Sequence, residues 1–327
     1  VKTITLDFET YYDSEFSLRK MTPVQYVLDP RFAVIGCAVR DERGCRFLSD
    51  EELREYLAGL PAKVTILSHN ALFDMCVLAW WYGYVPTLMV DTMGMARAML
   101  SYRLRSLSLD SVAMALGLGV KGKTVHKVMG MTLADIKAQG IYPEYAEYSC
   151  NDAELCYAIY RRLVADGFPP REIFVMDTVL RACVLPRFTL NSNLLAEHLL
   201  ATQQAKADLL ARTGLEDRSQ LMSNDMFAEV LRRLGVEPPT KISLTTGKET
   251  YAFAKTDADF IELEEHPNPD VQALVAARVG IKSTIEETRT QRLLSIAALD
   301  WGGGQRGLLP VPLRYSGAHT HRLSGDW

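Results

Sequence analysis

Val1-Lys2-Thr3-Ile4-Thr5-Leu6-Asp7-Phe8-Glu9-Thr10-Tyr11 opens the chain. Ile4, Leu6 and Phe8 alternate with Thr3, Thr5, Asp7 and Glu9, a period of two that predicts a β-strand. The same period puts Asp7 and Glu9 on one face, at the strand's C-terminal end. Two carboxylates so placed repel one another unless a positive charge sits between them. A divalent cation such as Mg²⁺, which takes hard oxygen ligands, resolves this. A wet-faced edge strand resolves it equally well, so the rest of the chain has to decide.

The composition sets the bounds. The chain has 327 residues, 48% hydrophobic, with a formal charge of -4. That suffices for one large core or for two to three smaller ones, and it is not a disordered composition. No apolar run approaches the length of a membrane span, and the start lacks a basic-then-apolar leader. The six cysteines, at 37, 45, 76, 150, 156 and 183, form no Cys-x-x-Cys pair. Free thiols in a reducing, cytoplasmic compartment are therefore expected. The mild acidity argues against a strongly basic nucleic-acid binder, but not against an enzyme that handles nucleic acid through metals and a local groove.

Outward from the first strand, a loop with a short helical turn at Thr22-Pro23-Val24-Gln25-Tyr26 leads to a strand over 32–39. A turn at Asp41-Glu42-Arg43-Gly44 returns the chain as a third strand, so the first three strands predict a meander. Ser49 and Glu52 form a capping box for a helix ended by Pro61. Val64-Thr65-Ile66-Leu67 is a short buried strand, and strand and helix alternate thereafter, which favours a mixed α/β sheet. Ser68-His69-Asn70-Ala71-Leu72-Phe73-Asp74 follows that strand and starts a helix. Asp74 in its first turns either steadies the helix dipole or joins Asp7 and Glu9 at the sheet edge, where open α/β folds keep their ligands. Asn70 either caps this helix or holds the site in shape. Leu88-Met89-Val90-Asp91-Thr92 is a further strand, with Asp91 a weaker acidic candidate or a helix cap. Helices are expected over 93–99 and 107–116. Lys121, Lys123 and Lys127 read as solvated surface or as phosphate contacts, and His126 has no assigned role.

A long helix starts at Tyr142-Pro143-Glu144-Tyr145-Ala146-Glu147-Tyr148-Ser149-Cys150-Asn151-Asp152. Leu155, Ile159 and Leu163 form its apolar stripe. Tyr148 and Asp152, four apart, share a face. Asp152 stands among inward-looking residues, where an unpaired carboxylate is costly without a partner or a metal.

Asp7-Phe8-Glu9, Asn70-Ala71-Leu72-Phe73-Asp74 and Tyr148-Ser149-Cys150-Asn151-Asp152 together resemble the three motifs of the DnaQ-like 3′-5′ exonucleases, in the version with Tyr in the third motif that family A DNA polymerases carry. Each motif is short; their order and setting carry the resemblance, which covers about residues 1–170. It implies an RNase H-like (DnaQ-like) α/β domain with a mixed sheet. It also implies four metal-binding acids, Asp7, Glu9, Asp74 and Asp152, with Tyr148 positioning the attacking water. Asn70 and Phe73 match accessory substrate-binding positions; Phe73 stacks on a terminal base or packs in the core.

From 171 the texture turns helical, and an all-helical second region is expected. It resembles the linker and thumb of family A polymerases. Leu244-Thr245-Thr246-Gly247-Lys248 matches a Lys-Thr-Gly-Lys segment with Leu244 in place of Lys, and Lys282-Ser283-Thr284 matches a step in the long thumb helices. Residues 316–327 resemble the start of the polymerase palm, with His321 where the family has Gly. The expected domains are thus 1–170 exonuclease, 171–310 helical linker and thumb-like region, and 311–327 the start of a palm whose remainder is missing. Lys282 and Arg322 are expected to contact DNA.

The resemblance implies a metal-dependent 3′-5′ exonuclease with two divalent ions, Mg²⁺ or Mn²⁺. Its substrate would be single-stranded or frayed DNA 3′ ends, with primer–template duplex as a further partner. It would be the proofreading part of a phage-type polymerase, without polymerase activity of its own. The alternative expectation is a DNA-binding or scaffolding fragment of a replication polymerase with little or no nuclease activity. No membrane partner is expected.

Overall fold

The computed structural model describes residues 2–120, 128–215 and 217–325. Lys121, Lys123, His126 and Lys127 lie outside these. The chain divides into two compact units, Val1–Thr189 with Ala298–Trp327, and Leu190–Ala297.

The first unit is built on β1 (Lys2–Thr10). It is followed by α1 (Pro23–Val27), β2 (Val34–Asp41), β3 (Gly44–Leu48), α2 (Asp50–Ala58), β4 (Val64–Ser68), α3 (Leu72–Trp80), β5 (Leu88–Asp91), α4 (Thr92–Leu100) and α5 (Leu109–Ala115). Then come α6 (Leu133–Ala138), α7 (Tyr142–Ala165), α8 (Pro170–Val184) and β6 (Phe188–Thr189). The sheet order is β3-β2-β1-β4-β5. β1 to β3 form the antiparallel meander, and β4 and β5 run parallel to β1. This mixed sheet flanked by helices is the RNase H-like α/β arrangement expected from the motifs. β1 is its central strand, not an edge. Ile4 and Leu6 are buried completely or nearly so, and Phe8 is buried too. Each such side chain contributes about 1.5–3 kcal/mol by leaving water. The Ser49–Glu52 capping box is present at α2. The short α6, capped by Thr132, was not foreseen, because one turn and a half carries too little periodicity to read.

The second unit contains α9 (Ser192–Arg212), α10 (Ser219–Met222), α11 (Asn224–Arg233), β7 (Thr240–Ile242), β8 (Glu249–Tyr251), α12 (Ala258–Glu262), α13 (Pro269–Lys282) and α14 (Ile285–Ala297). It has its own core, with Phe227, Phe260, Val271 and Val275 fully buried or nearly so. The expectation of an all-helical region is corrected here: β7 and β8 pair as an antiparallel hairpin. Its tip carries Leu244, fully exposed, and Gly247 at φ 66°, a left-handed conformation that favours glycine. The strands are three residues long and mostly exposed, so hydrophobic alternation could not announce them.

The chain then returns to the first unit through β9 (Leu308–Leu309), β10 (Leu313–Arg314) and β11 (Ser324–Gly325). The observed division therefore does not coincide with boundaries at 170 and 310. Helix α8 is bound into the first unit: Asp177 accepts from the Met89 amide at 2.8 Å, and the Trp80 indole donates to the Val184 carbonyl at 2.9 Å. The returning segment is bound there too. The Tyr315 hydroxyl donates to Glu172 at 2.5 Å, Arg97 donates to the Tyr315 carbonyl at 3.0 Å, and Trp301 packs edge-on against Trp80 at 4.9 Å. His321 has φ 59°, a left-handed backbone conformation. Among the described residues no helix is long and apolar enough to cross a membrane.

Candidate active site

Three elements carry the four acids. β1 carries Asp7 and Glu9, α3 carries Asp74 in its first turn, and α7 carries Asp152 on its buried face. Asp74 is buried, and its Oδ1 accepts from the Phe8 amide at 3.1 Å, which ties the start of α3 directly to β1 between the two acids of the strand. Burial pushes the Asp74 carboxyl up to about 8, and the charges of Asp91 and Glu9 add to the rise, while the Phe8 amide opposes it. Asp152 is buried as well.

Helix α7 contributes more than the pair foreseen. Tyr145 donates its hydroxyl to Glu9 Oε2 at 2.9 Å, and Ser149 donates to Glu9 Oε1 at 2.9 Å. Both oxygens of Glu9 are thus fixed from one helix face, by residues four apart. Neither Tyr145 nor Ser149 has a role that the sequence alone assigns. The available signal was their i, i+4, i+7 spacing with Asp152. Tyr148 is buried on the same side; burial first, then the charges of Asp152, Glu9 and Asp7, push its phenol far above its usual value. In the metal-free protein it is therefore neutral and able to donate a hydrogen bond.

The clamp on Glu9 rests on a glycine. Gly36 on β2 stands opposite Glu9. A Cβ there would lie 2.4 Å from the Phe47 ring and 2.8 Å from the Leu48 carbonyl. Phe47 in turn packs edge-on against Tyr145, with ring centroids 5.7 Å apart.

The turn from β4 into α3 is held by Asp91. Its Oδ1 accepts from the amides of Asn70 at 2.9 Å, Ala71 at 3.2 Å and Met93 at 3.1 Å. Of the two readings of Asp91, the cap is the one observed. Asn70 does not cap α3, since Ala71 occupies that position without a side-chain bond. Instead Asn70 takes φ 69°, a left-handed conformation that Asn adopts more readily than most residues. His69 is held by Thr92 and the Leu107 carbonyl, each at 2.9 Å.

The other expected residues are placed differently. Phe73 packs against the core, with Tyr26 at 6.0 Å, which is the packing reading. Lys282 lies in the second unit. Arg322 is exposed, and its Nε donates to Thr320 at 3.0 Å in the turn before β11.

The donor set suits a hard cation: four carboxylates, one of which is driven toward its neutral form partly by neighbouring like charge. As the side chains stand, no group of three or more among the described residues is gathered to hold one ion. Binding would therefore require the carboxylates to draw inward.

No protein-family model matches the chain, and no curated protein matches it. Solved structures similar to it include NrnC of Brucella melitensis, at 18% identity and a TM-score of 0.39 over 55% of this chain and 82% of that one. RNase D of Escherichia coli, described as an exoribonuclease involved in structured RNA processing, is similar at 16% identity and a TM-score of 0.37, over 84% and 69% of the two chains. The catalytic core of RRP6 from Trypanosoma brucei is similar at 14% identity and a TM-score of 0.41, over 90% and 73%.

Proposed function

We propose that the chain is a metal-dependent 3′-5′ exonuclease that removes nucleoside 5′-monophosphates from DNA 3′ ends. The observation that carries this reading is the convergence of Asp74 from α3 and Tyr148 from α7 on the acidic end of β1, with Asp74 pushed up by burial, Asp91 and Glu9. The two-ion scheme and the proofreading role within a family A polymerase rest on the motifs of the sequence. The free thiols support a reducing, cytoplasmic setting.

Asp7, Glu9, Asp74 and Asp152 would hold Mg²⁺ or Mn²⁺. Such ions, when bound, lower the pKa of water and neutralise charge on the attacking and leaving oxygens. Glu9 is held in one orientation by Tyr145 and Ser149, so its lone pairs face a fixed direction. Tyr148, kept protonated, orients the attacking water by donating a hydrogen bond and does not serve as the base. Water attacks phosphorus, the bond to the 3′ oxygen breaks, and that oxygen leaves with a proton. The products are a nucleoside 5′-monophosphate and a strand one residue shorter.

The test is release of mononucleotides from a 5′-labelled single strand, in Mg²⁺ and Mn²⁺, with Asp7→Ala alongside. Deoxy and ribo strands are run in parallel, because carboxylates acting on the phosphodiester meet the same group in both. Cleavage from the 3′ end should appear and should fall more than about a hundredfold in folded Asp7→Ala, the scale expected when a group that stabilises transition-state charge is removed. Near-normal cleavage by folded Asp7→Ala would overturn the assignment. A strand bound but uncut in both metals would favour a nucleic-acid-binding fragment instead.

A further inference from the structure

Two partly exposed thiols meet in the first unit, Cys45 on β3 and Cys150 on α7. β3 is an edge strand of the sheet, and Cys45 stands directly opposite Arg40 of β2, so the two side chains share a face. On that face Arg40 meets Glu154 of α7 at 3.4 Å, and its guanidinium carbon lies 3.4 Å from the Tyr157 ring centre. Phe47, two residues beyond Cys45 and therefore on the same face, meets Tyr142 and Tyr145 of α7 with ring centres 5.9 and 5.7 Å away. Helix α7 is thus laid across this face on both sides of Cys45. Cys150 falls between those contacts, one turn before Glu154. The two thiols hydrogen-bond to each other.

The remaining cysteines differ. Cys37, Cys76, Cys156 and Cys183 are buried in the core. Cys76 and Cys183 also meet, but the core seals them from solvent. A small oxidant therefore reaches Cys45 and Cys150 first. The place of Cys150 on α7 gives such a reaction a consequence. Its neighbour Ser149 holds Glu9, and Asp152 lies two residues on. The acids would have to draw inward to hold one ion, and α7 is the element that carries Asp152.

We propose that Cys45 and Cys150 are a redox pair whose disulfide fastens α7 to β3 and holds Asp152 back from the acids of β1. The oxidant is a hydroperoxide. One sulfur attacks it, an S–O bond forms as the O–O bond breaks, and with hydrogen peroxide water leaves. The second thiol then attacks that sulfur, the S–S bond forms, the S–O bond breaks, and a second water leaves. Two electrons pass from the sulfurs to the peroxide, and a dithiol reductant returns them by exchange. A transient link of this kind is the form in which disulfides occur in reducing compartments. The effect on cleavage rests on the exonuclease reading; formation of the link does not.

The full chain is treated with hydrogen peroxide, alkylated, digested and mapped by mass spectrometry, with Cys45→Ser and Cys150→Ser alongside. A peptide joining Cys45 to Cys150 should appear before any link to a buried cysteine. It should vanish with dithiothreitol and be absent from both variants. In chelator, the oxidised parent should melt about 5 °C or more above the reduced one, because the link closes a long loop of the unfolded chain. Neither variant should show that rise. Cleavage of a 5′-labelled strand in Mg²⁺ should fall at least about tenfold on oxidation, the scale of a small misplacement of reacting groups. It should recover with dithiothreitol, and both variants should be insensitive to peroxide. Oxidation that yields no such link, or yields it only between chains, overturns the redox pair. A link that forms but leaves melting or cleavage unchanged overturns the fastening of α7. A reduced parent that cuts no strand sinks the exonuclease reading alone, because mapping and melting still decide for or against the link.

Discussion

Asp74 shows how much of the site's behaviour comes from burial. A carboxyl in an unfolded chain titrates near 3.9, and this one is pushed up to about 8. Between those values the unfolded group is ionised while the folded one keeps its proton, so the folded state binds more protons. Stability of the metal-free protein therefore falls as pH rises from about 4 to 8. Asp74→Asn removes the dependence: in chelator it should melt well above the parent at pH 8 and close to it at pH 4.5. Parallel melting curves for the two proteins across that range would show that the carboxyl is not perturbed. Tyr148 makes the complementary case. Its phenol stays protonated, so it donates, and Tyr148→Phe keeps the ring but not the donor. Turnover should drop on the order of a hundredfold, with Mg²⁺ affinity unchanged in a metal titration. An unaltered single-turnover rate would remove the water-positioning role.

At the scale of elements, the register between β1 and β2 matters as much as any acid. Glu9 faces Gly36, whose missing side chain leaves room for Phe47, and Phe47 backs the Tyr145 that holds Glu9. Gly36→Ala adds one methyl into space already filled by ring and backbone. Such overpacking costs about 1–3 kcal/mol, and relief by moving Phe47 would disturb Tyr145. Thermal unfolding should show the loss, and the rate of 3′-end cleavage should fall with it. If the variant melts with the parent and cleaves at the same rate, the glycine is not needed at that position. The strand pattern and the acids on one face could be read from residues 2–10. The glycine's purpose could not, because Phe47 and Gly36 meet only across the β2–β3 ladder.

Each unit has a main core, one around Ile4, Leu6 and Ile66 and one around Phe227, Phe260 and Val271, and a smaller cluster of Ile35, Val128, Ile136 and Tyr145 lies in the first unit. The two units should each unfold cooperatively, since separate main cores breach the single-transition approximation. Calorimetry should then resolve two transitions. Mg²⁺ should raise only the one belonging to the unit with the acids. At a hundredfold excess over Kd the gain is about 2.7 kcal/mol for the unit that binds. A single transition raised as a whole by Mg²⁺ would refute independent unfolding of the two units.

The residues near in sequence determined much of this protein by themselves. Alternation over Ile4, Leu6 and Phe8 made a strand and placed Asp7 and Glu9 on one face. The helical period placed Tyr148 beside Asp152, and Ser49 with Glu52 started a helix. Those are local facts, set by the geometry of one strand or one helix. Only the tertiary structure decided what acts across elements. Tyr145 and Ser149 hold Glu9 over separations of 136 and 140 residues, and Asp91 shapes the turn ahead of Asp74 from 20 residues away. It also decided that the segment from Ala298 onward returns to the first unit. The physical reason is the same in each case. Hydrogen bonds, charge crowding and burial depend on distance in space, and periodicity reports distance only within a single element.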